Sequence, residues 1–244
     1  MKNNMIGFIG AGNMASAIIH GMIESNKFDN NLIAVFDRDE SKTELLKNEL
    51  GITVAKSNEE LIEKCATIIL AVKPIVFPSL LPELSSAFER EKTFLISIAA
   101  GQELSKIKSL VKCDLPIVRV MPNINAVAGE AISGYTANEF VNEEETELAK
   151  KILNCFGKAV EIDEKLFSVF SAVAGCSPAY VYSFADTVSR TFVKYGITKK
   201  EAIDIVCNEI IKCVNETGKT EIDEEFDKII NSALKSAYEK DKKI

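Results

Sequence analysis

The chain has 244 residues, 47% of them hydrophobic and 27% charged, the balance of an ordinary globular protein with room for one large domain or two smaller ones. Its formal net charge of −7 argues against nucleic acid or an acidic membrane surface as the main partner, because either needs a basic face and no Lys/Arg cluster supplies one locally. Six cysteines scattered without a CxxC pair read as free thiols rather than disulfides or a metal site, and His20 as the single histidine leaves a zinc site or a histidine-based triad almost nothing to build from.

Lys2 is the only early charge, and glycine and asparagine break the first apolar run at once, so no signal peptide is expected. No stretch of about 18 apolar residues is seen, so no membrane span is expected. With free thiols, this points to the cytoplasm.

Strand and helix alternate from the start. MIGFI (5–9) predicts a strand, with a helix running on to about Ile23. LIAVF (32–36) predicts a second strand and 40–50 a helix, and TVA (53–55) is a short strand candidate. Ser57 with Glu60 three residues on is a capping-box signature for another helix. TIILAV (67–72), TFLISI (93–98) and PIVRVM (116–121) are continuous apolar runs, as expected of strands covered on both faces. A helix over 143–156 and a strand at KAVEI (158–162) close the set. The pattern predicts an α/β fold with a Rossmann-type, doubly wound, mostly parallel sheet.

After Asp163 no strand-like run follows. Helical patterns cover 164–174, 178–195 and 199–217, and a last one begins near 221. In that last segment Phe226, Ile229, Ile230, Ala233, Leu234, Ala237 and Tyr238 make one apolar stripe, with Thr220 and Asp223 able to cap its start and Gly218 able to end the helix before it. The expected division is an α/β domain over 1–163 and an all-helical domain over 164–244. So short a helical unit has little core of its own and is expected to bury its stripes against a second copy, giving a homodimer or higher homo-oligomer.

The string Gly10-Ala11-Gly12-Asn13-Met14-Ala15 fits G-x-G-x-x-G/A after a strand and at the opening of a helix. The first glycine permits a tight turn, the second lets backbone approach a pyrophosphate, and the small third residue lets helix and strand pack closely. At the end of the second strand, Asp37 suits a ribose 2′-OH and NADH, whereas Arg38 suits a 2′-phosphate and NADPH, so the choice stays open.

Four strings, GFIGAGNMASAI, LAVKP (70–74), RVMPNINA (119–126) and AGCSPAYVYSFAD (174–186), together resemble the pyrroline-5-carboxylate reductase family, and the tail FDKIINSALKSAYEKDKK looks like that family's final helix. The resemblance implies a Rossmann domain, a helical dimerisation domain, and hydride transfer from NADPH or NADH to the C=N of 1-pyrroline-5-carboxylate. It implies that Gly10, Ala11, Gly12, Asn13 and Met14 cradle the pyrophosphate. Ala71, Val72, Lys73 and Pro74 would line the adenosine and ribose side, and Ala99, Ala100 and Gly101 would face the nicotinamide. Met121, Pro122 and Asn123 would form the next edge, with Ser177 and Asn123 as catalytic-site residues. Read by itself, Ser177 beside Pro178 also looks like a helix N-cap. His20 is expected to be a plain helix residue.

The family's second signature, Ser-Pro-Gly-Gly-Thr-Thr, holds the substrate carboxylate and does not occur in these 244 residues, where CVNETGK (213–219) runs directly into TEIDEEFDK (220–228). The alternative reading is therefore a catalytically impaired paralogue that binds nucleotide or regulates. A β-hydroxyacid dehydrogenase shares the two-domain plan but needs a lysine in the helical domain, and residues 175–193 contain none.

Overall fold

The computed structural model of the chain describes residues 3–216, so the expected last helix with Gly218, its Thr220–Asp223 start and its stripe from Phe226 to Tyr238 lies outside the described residues. In chain order the elements are β1 (Asn3–Ile9), α1 (Asn13–Glu24), β2 (Ile33–Phe36), α2 (Glu40–Leu50), β3 (Thr53–Val54), α3 (Asn58–Lys64), β4 (Cys65–Leu70), α4 (Phe77–Leu84), β5 (Phe94–Ser97), α5 (Leu104–Val111), β6 (Ile117–Met121), β7 (Ala131–Ala137), α6 (Glu143–Leu153) and β8 (Gly157–Glu161). The helical part follows as α7 (Phe167–Phe170), a π-helical turn at Ser171–Gly175, α8 (Ser177–Lys194) and α9 (Lys199–Glu216).

The strands form one sheet in the order β3-β2-β1-β4-β5-β6-β7-β8. Every neighbouring pair is parallel except β6 and β7, so the last two strands run against the first six. Strand order reverses between β1 and β4, and it is at the carboxyl edge of such a switch point that open α/β sheets bind ligands. Helices cover both faces. Ile18, Ile19 and Met22 of α1 share a core with Ala149, Ile152 and Leu153 of α6 on one side. Leu61 and Ile62 of α3, Phe77 and Leu81 of α4, and Ile107 and Val111 of α5 fill the other.

Most of the expected elements form where the pattern places them. The capping box at α3 is modified: Ser57 Oγ accepts the Glu60 N–H at 3.2 Å, but the Glu60 carboxylate reaches one residue further back, to Lys56 N at 2.6 Å. The sequence reading contained no counterpart to β7, α4 or α5. Two prolines, Pro78 and Pro82, punctuate α4 and blur its helical signal.

In the helical part α8 and α9 pack against each other. The run Glu164–Lys194 holds no unbroken stretch of 18 apolar residues, but its most apolar 18-residue window reaches a mean hydropathy of 1.2, enough to meet a membrane-span criterion by length and composition. Its start is pinned to the sheet. Arg119, 5% exposed within β6, is a charged exception in a buried strand and pairs with Glu164, which also accepts the Leu104 N–H at the start of α5.

Candidate functional site

The first turn of α1 begins at Gly12, whose extended backbone (φ −74°, ψ 177°) gives way to the helix at Asn13. No side chain caps this end, and no acidic residue sits in its first turn. The leading amides are thus left for an outside acceptor, and the helix dipole favours an anion there.

The two glycines before this helix serve different purposes. Gly10 has φ +106°, and a Cβ built on it would stand 2.7 Å from the Ala71 carbonyl oxygen. The loops after β1 and β4 therefore touch, and glycine is required by the fold itself. A Cβ built on Gly12 would meet nothing within 4 Å. The protein does not need that position bare; a ligand approaching the backbone does.

Asp37 is tied into this loop. Its Oδ2 accepts the Ala11 N–H at 2.8 Å and its Oδ1 accepts the Asp39 N–H at 2.9 Å, which fixes a carboxylate beside the glycine turn. Asp39 in turn caps α2, and the Ser41 hydroxyl, then Lys42, holds its carboxyl below the ordinary 3.8. Gly10, Gly12, Asp37, Arg38, Ala71, Val72 and Lys73 all line one cleft of about 300 Å³ at the switch point, so seven of the expected cofactor residues come together. Ala11 is joined to the group through Asp37, Asn13 and Met14 open the adjoining helix, and Pro74 begins the short turn after Lys73.

The same cleft takes in Lys42 and Asn58, which sequence reasoning missed. Asn58 Oδ1 is buried without a hydrogen-bond partner beside this cleft. The only signal for it was the Ser57–Glu60 cap, which placed a helix start here.

The second cluster follows β5 and β6. Ala99, Ala100 and Gly101 make the turn after β5, with Gly101 at φ +68°. Asn123 ends the segment after β6 and donates through Nδ2 to the Ala174 carbonyl at 3.0 Å, which brings the π turn, and Ser177 just beyond it, to the same edge of the sheet. Ser177 does not cap α8 as expected. Cys176 holds the cap position, and the Ser177 hydroxyl bonds back to the Val173 carbonyl. One turn on, the Tyr180 phenol is held above the ordinary 10.0, first by burial and then by Cys176, and so keeps its proton near neutrality. His20 is a helix residue as expected: Nδ1 donates to the Ser16 carbonyl at 2.8 Å, and Nε2 lies 3.6 Å from Glu49.

An uncapped helix start and an open Gly12 around one cleft fit a dinucleotide. Known proteins agree with this geometry. Residues 5–101 match a family described as NADP oxidoreductase, coenzyme F420-dependent, and residues 164–215 match one described as pyrroline-5-carboxylate reductase dimerisation. The pyrroline-5-carboxylate reductase of Escherichia coli K12 is 33% identical over 217 residues, which are 88% of this chain and 80% of that protein. That of Methanosarcina acetivorans is 33% identical over 221 residues, 89% of this chain and 82% of its own. The crystal structure of Plasmodium falciparum pyrroline carboxylate reductase with NADP bound has a TM-score of 0.86 at 28% identity, covering 99% of this chain and 98% of that one.

Proposed function

Since the chain belongs to the pyrroline-5-carboxylate reductase family, we infer that it carries out that family's reaction, hydride transfer from NADPH or NADH to the C=N of 1-pyrroline-5-carboxylate to give L-proline. The observation that carries this is the pair of glycines: Gly10 is bare for the protein's sake and Gly12 for a ligand's. The reduced nicotinamide supplies the hydride when bound.

What the chain contributes is placement. The amides of Asn13 and Met14 and the backbone at Gly12 hold the pyrophosphate. Asp37, Arg38, Asn58 and residues Ala71–Pro74 hold the adenosine side, and Ala99–Gly101 back the nicotinamide. A protonated imine needs little acid catalysis because its nitrogen already carries the proton, so the task reduces to holding donor and acceptor carbon together. This suits a site without a histidine: His20 lies along α1, bonded to its own helix.

The division into a dinucleotide-binding domain (1–163) and a helical domain (164–244) is supported by the end of the sheet at Glu161. Val181, Tyr182 and Phe184 of α8 and Ile203, Ile205 and Ile211 of α9 are exposed, and we read this apolar surface as the interface of a homodimer or higher homo-oligomer. The same reading accounts for the apolar run Glu164–Lys194. Only 22% of its most apolar window is buried, and α8 carries the Asp186–Arg190 ion pair, so a partner subunit covers it better than lipid does. We place the protein in the cytoplasm, without nucleic acid or membrane partners.

The test is direct. Loss of nicotinamide absorbance on adding 1-pyrroline-5-carboxylate, with proline recovered in equal amount, is expected. Tight nucleotide binding with no proline formed would favour the impaired paralogue instead, although the relatives carry reductase names.

A further inference from the structure

Asn123 is 5% exposed, and both ends of its amide are occupied. Oδ1 accepts the Ile132 N–H at 3.3 Å, and Nδ2 donates to the Ala174 carbonyl at 3.0 Å. One partner can only donate and the other only accept, so together they fix which way the amide faces.

The Ala174 carbonyl needs that donor because of a residue four positions on. An α-helix would offer it the amide of residue 178, and Pro178 has no N–H. The wider π turn would offer it the amide of Ala179, but that amide bonds to the Cys176 carbonyl at 3.0 Å. The Ser177 hydroxyl is engaged with the neighbouring Val173 carbonyl. The missing donor comes from Asn123, in the loop after β6.

We propose that Asn123 is a positioning residue matched to Pro178. The proline strips the Ala174 carbonyl of its helical donor, and Asn123 supplies the replacement from the end of β6. The bond holds the start of α8, and Ser177 with it, at a fixed place on the carboxyl edge of the sheet. This rests on the reductase reading above and assigns Asn123 a part other than touching the reacting atoms. The π turn sits against the end of β6: a Cβ built on Gly175 would come into ordinary contact with Met121 Cε, at 3.4 Å. Without Asn123, α8 would start from a less defined place, and donor and acceptor carbon would be less well aligned.

The test is a double-mutant cycle in the full-length protein, using Asn123→Ala, Pro178→Ala and the pair, with kcat, KM for 1-pyrroline-5-carboxylate, the Kd of NADPH and the thermal midpoint measured for each. Asn123→Ala is expected to lower kcat by about ten-fold or more while the Kd of NADPH stays within about two-fold. In the Pro178→Ala background residue 178 regains an N–H, and the same change should then cost less than about three-fold. An equal cost in both backgrounds overturns the proposal, and so does a loss seen wholly in NADPH affinity. Should Asn123→Ala alone fail to fold, folded protein from the pair supports the proposal and an unfolded pair overturns it. If the wild type does not reduce the imine, it is the reductase reading that fails; the coupling of positions 123 and 178 in the thermal midpoint still decides this one.

Discussion

Arg119 and Glu164 meet across the junction between sheet and helices, Nη1 to Oε1 at 3.0 Å. The same carboxylate oxygen takes the Leu104 N–H at 2.8 Å, and the guanidinium lies 4.3 Å above the Phe167 ring. One carboxylate thus joins the buried strand β6, the first turn of α5 and the helical part. Removing Glu164 leaves a buried guanidinium and a helix-start amide unpaired. Glu164→Ala is expected to lower unfolding stability by about 2–3 kcal/mol, the lower part of the range because its side chain is 32% exposed. Arg119→Met combined with Glu164→Ala should cost less than Glu164→Ala alone. Urea titration of the three proteins checks this.

The two glycines of the first loop should separate stability from binding. Gly10→Ala places a Cβ 2.7 Å from backbone at a φ of +106° and is expected to destabilise the fold by about 2–3 kcal/mol. Gly12→Ala meets nothing within 4 Å and should leave the unfolding midpoint unchanged. Its cost should fall on NADPH affinity, by about ten-fold or about 1.4 kcal/mol, read by nucleotide fluorescence titration.

Arg38 lines the cofactor cleft with an exposed guanidinium, next to a carboxylate already held by two backbone amides. A 2′-phosphate gives Arg38 a charged partner and a 2′-hydroxyl does not. Arg38→Ala is expected to weaken NADPH by about ten-fold while NADH changes by less than about two-fold. Parallel titrations with the two nucleotides measure the difference.

Acid should destabilise the protein through its helix starts. The Lys64 ammonium, then the Lys56 amide, holds the Glu60 carboxyl below its ordinary 4.5, and Ser41 does the same for Asp39, below 3.8. A carboxylate whose pKa is lowered on folding stabilises above its unfolded value and loses that contribution as pH falls through the folded one. Glu145 has the opposite sign, because burial raises it, and it offsets part of the loss. Stability is expected to be flat between about pH 6 and pH 8 and to fall once the pH drops below the ordinary carboxylate values. In Glu60→Gln the fall should be shallower, as urea midpoints measured across that range would show.

The exposed face of α8 should control assembly. Phe184 is 55% exposed and Val181, one turn before it, 46%. Phe184→Glu puts a charge on the face expected to be buried between subunits, and light scattering should show a smaller species with circular dichroism unchanged. An assembly of unchanged mass would show that subunits join elsewhere.

The parallel sheet was legible because β4, β5 and β6 are buried on both faces and read as unbroken apolar runs. β7 was not, because its sequence AISGYTA has a glycine at its middle and polar residues beside it. Gly134 is there because Phe170 and Ile162 press on it, a Cβ coming within 2.9 Å and 2.8 Å of them. That is a contact between distant segments, which no local pattern announces. The glycine loop was legible because its purpose is written in local backbone needs. Asn58 was not, because what marks it is the lack of a partner for a buried oxygen. The π turn was hidden for a related reason: Pro178 marks the start of α8, as it does in the structure, but nothing local shows that the Ala174 carbonyl before it takes its hydrogen bond from Asn123, beyond β6.

Pro178 has a consequence for assembly of the fold as well. Sliding the start of α8 by one residue would drag the π turn before it along and carry the Ala174 carbonyl out of reach of Asn123. Every such slip leaves the Ala174 carbonyl without that donor. The helix therefore has a single docking register. That register is set by the loop after β6 and the first residues of β7, so the edge of the sheet serves as the template on which the start of α8 sits.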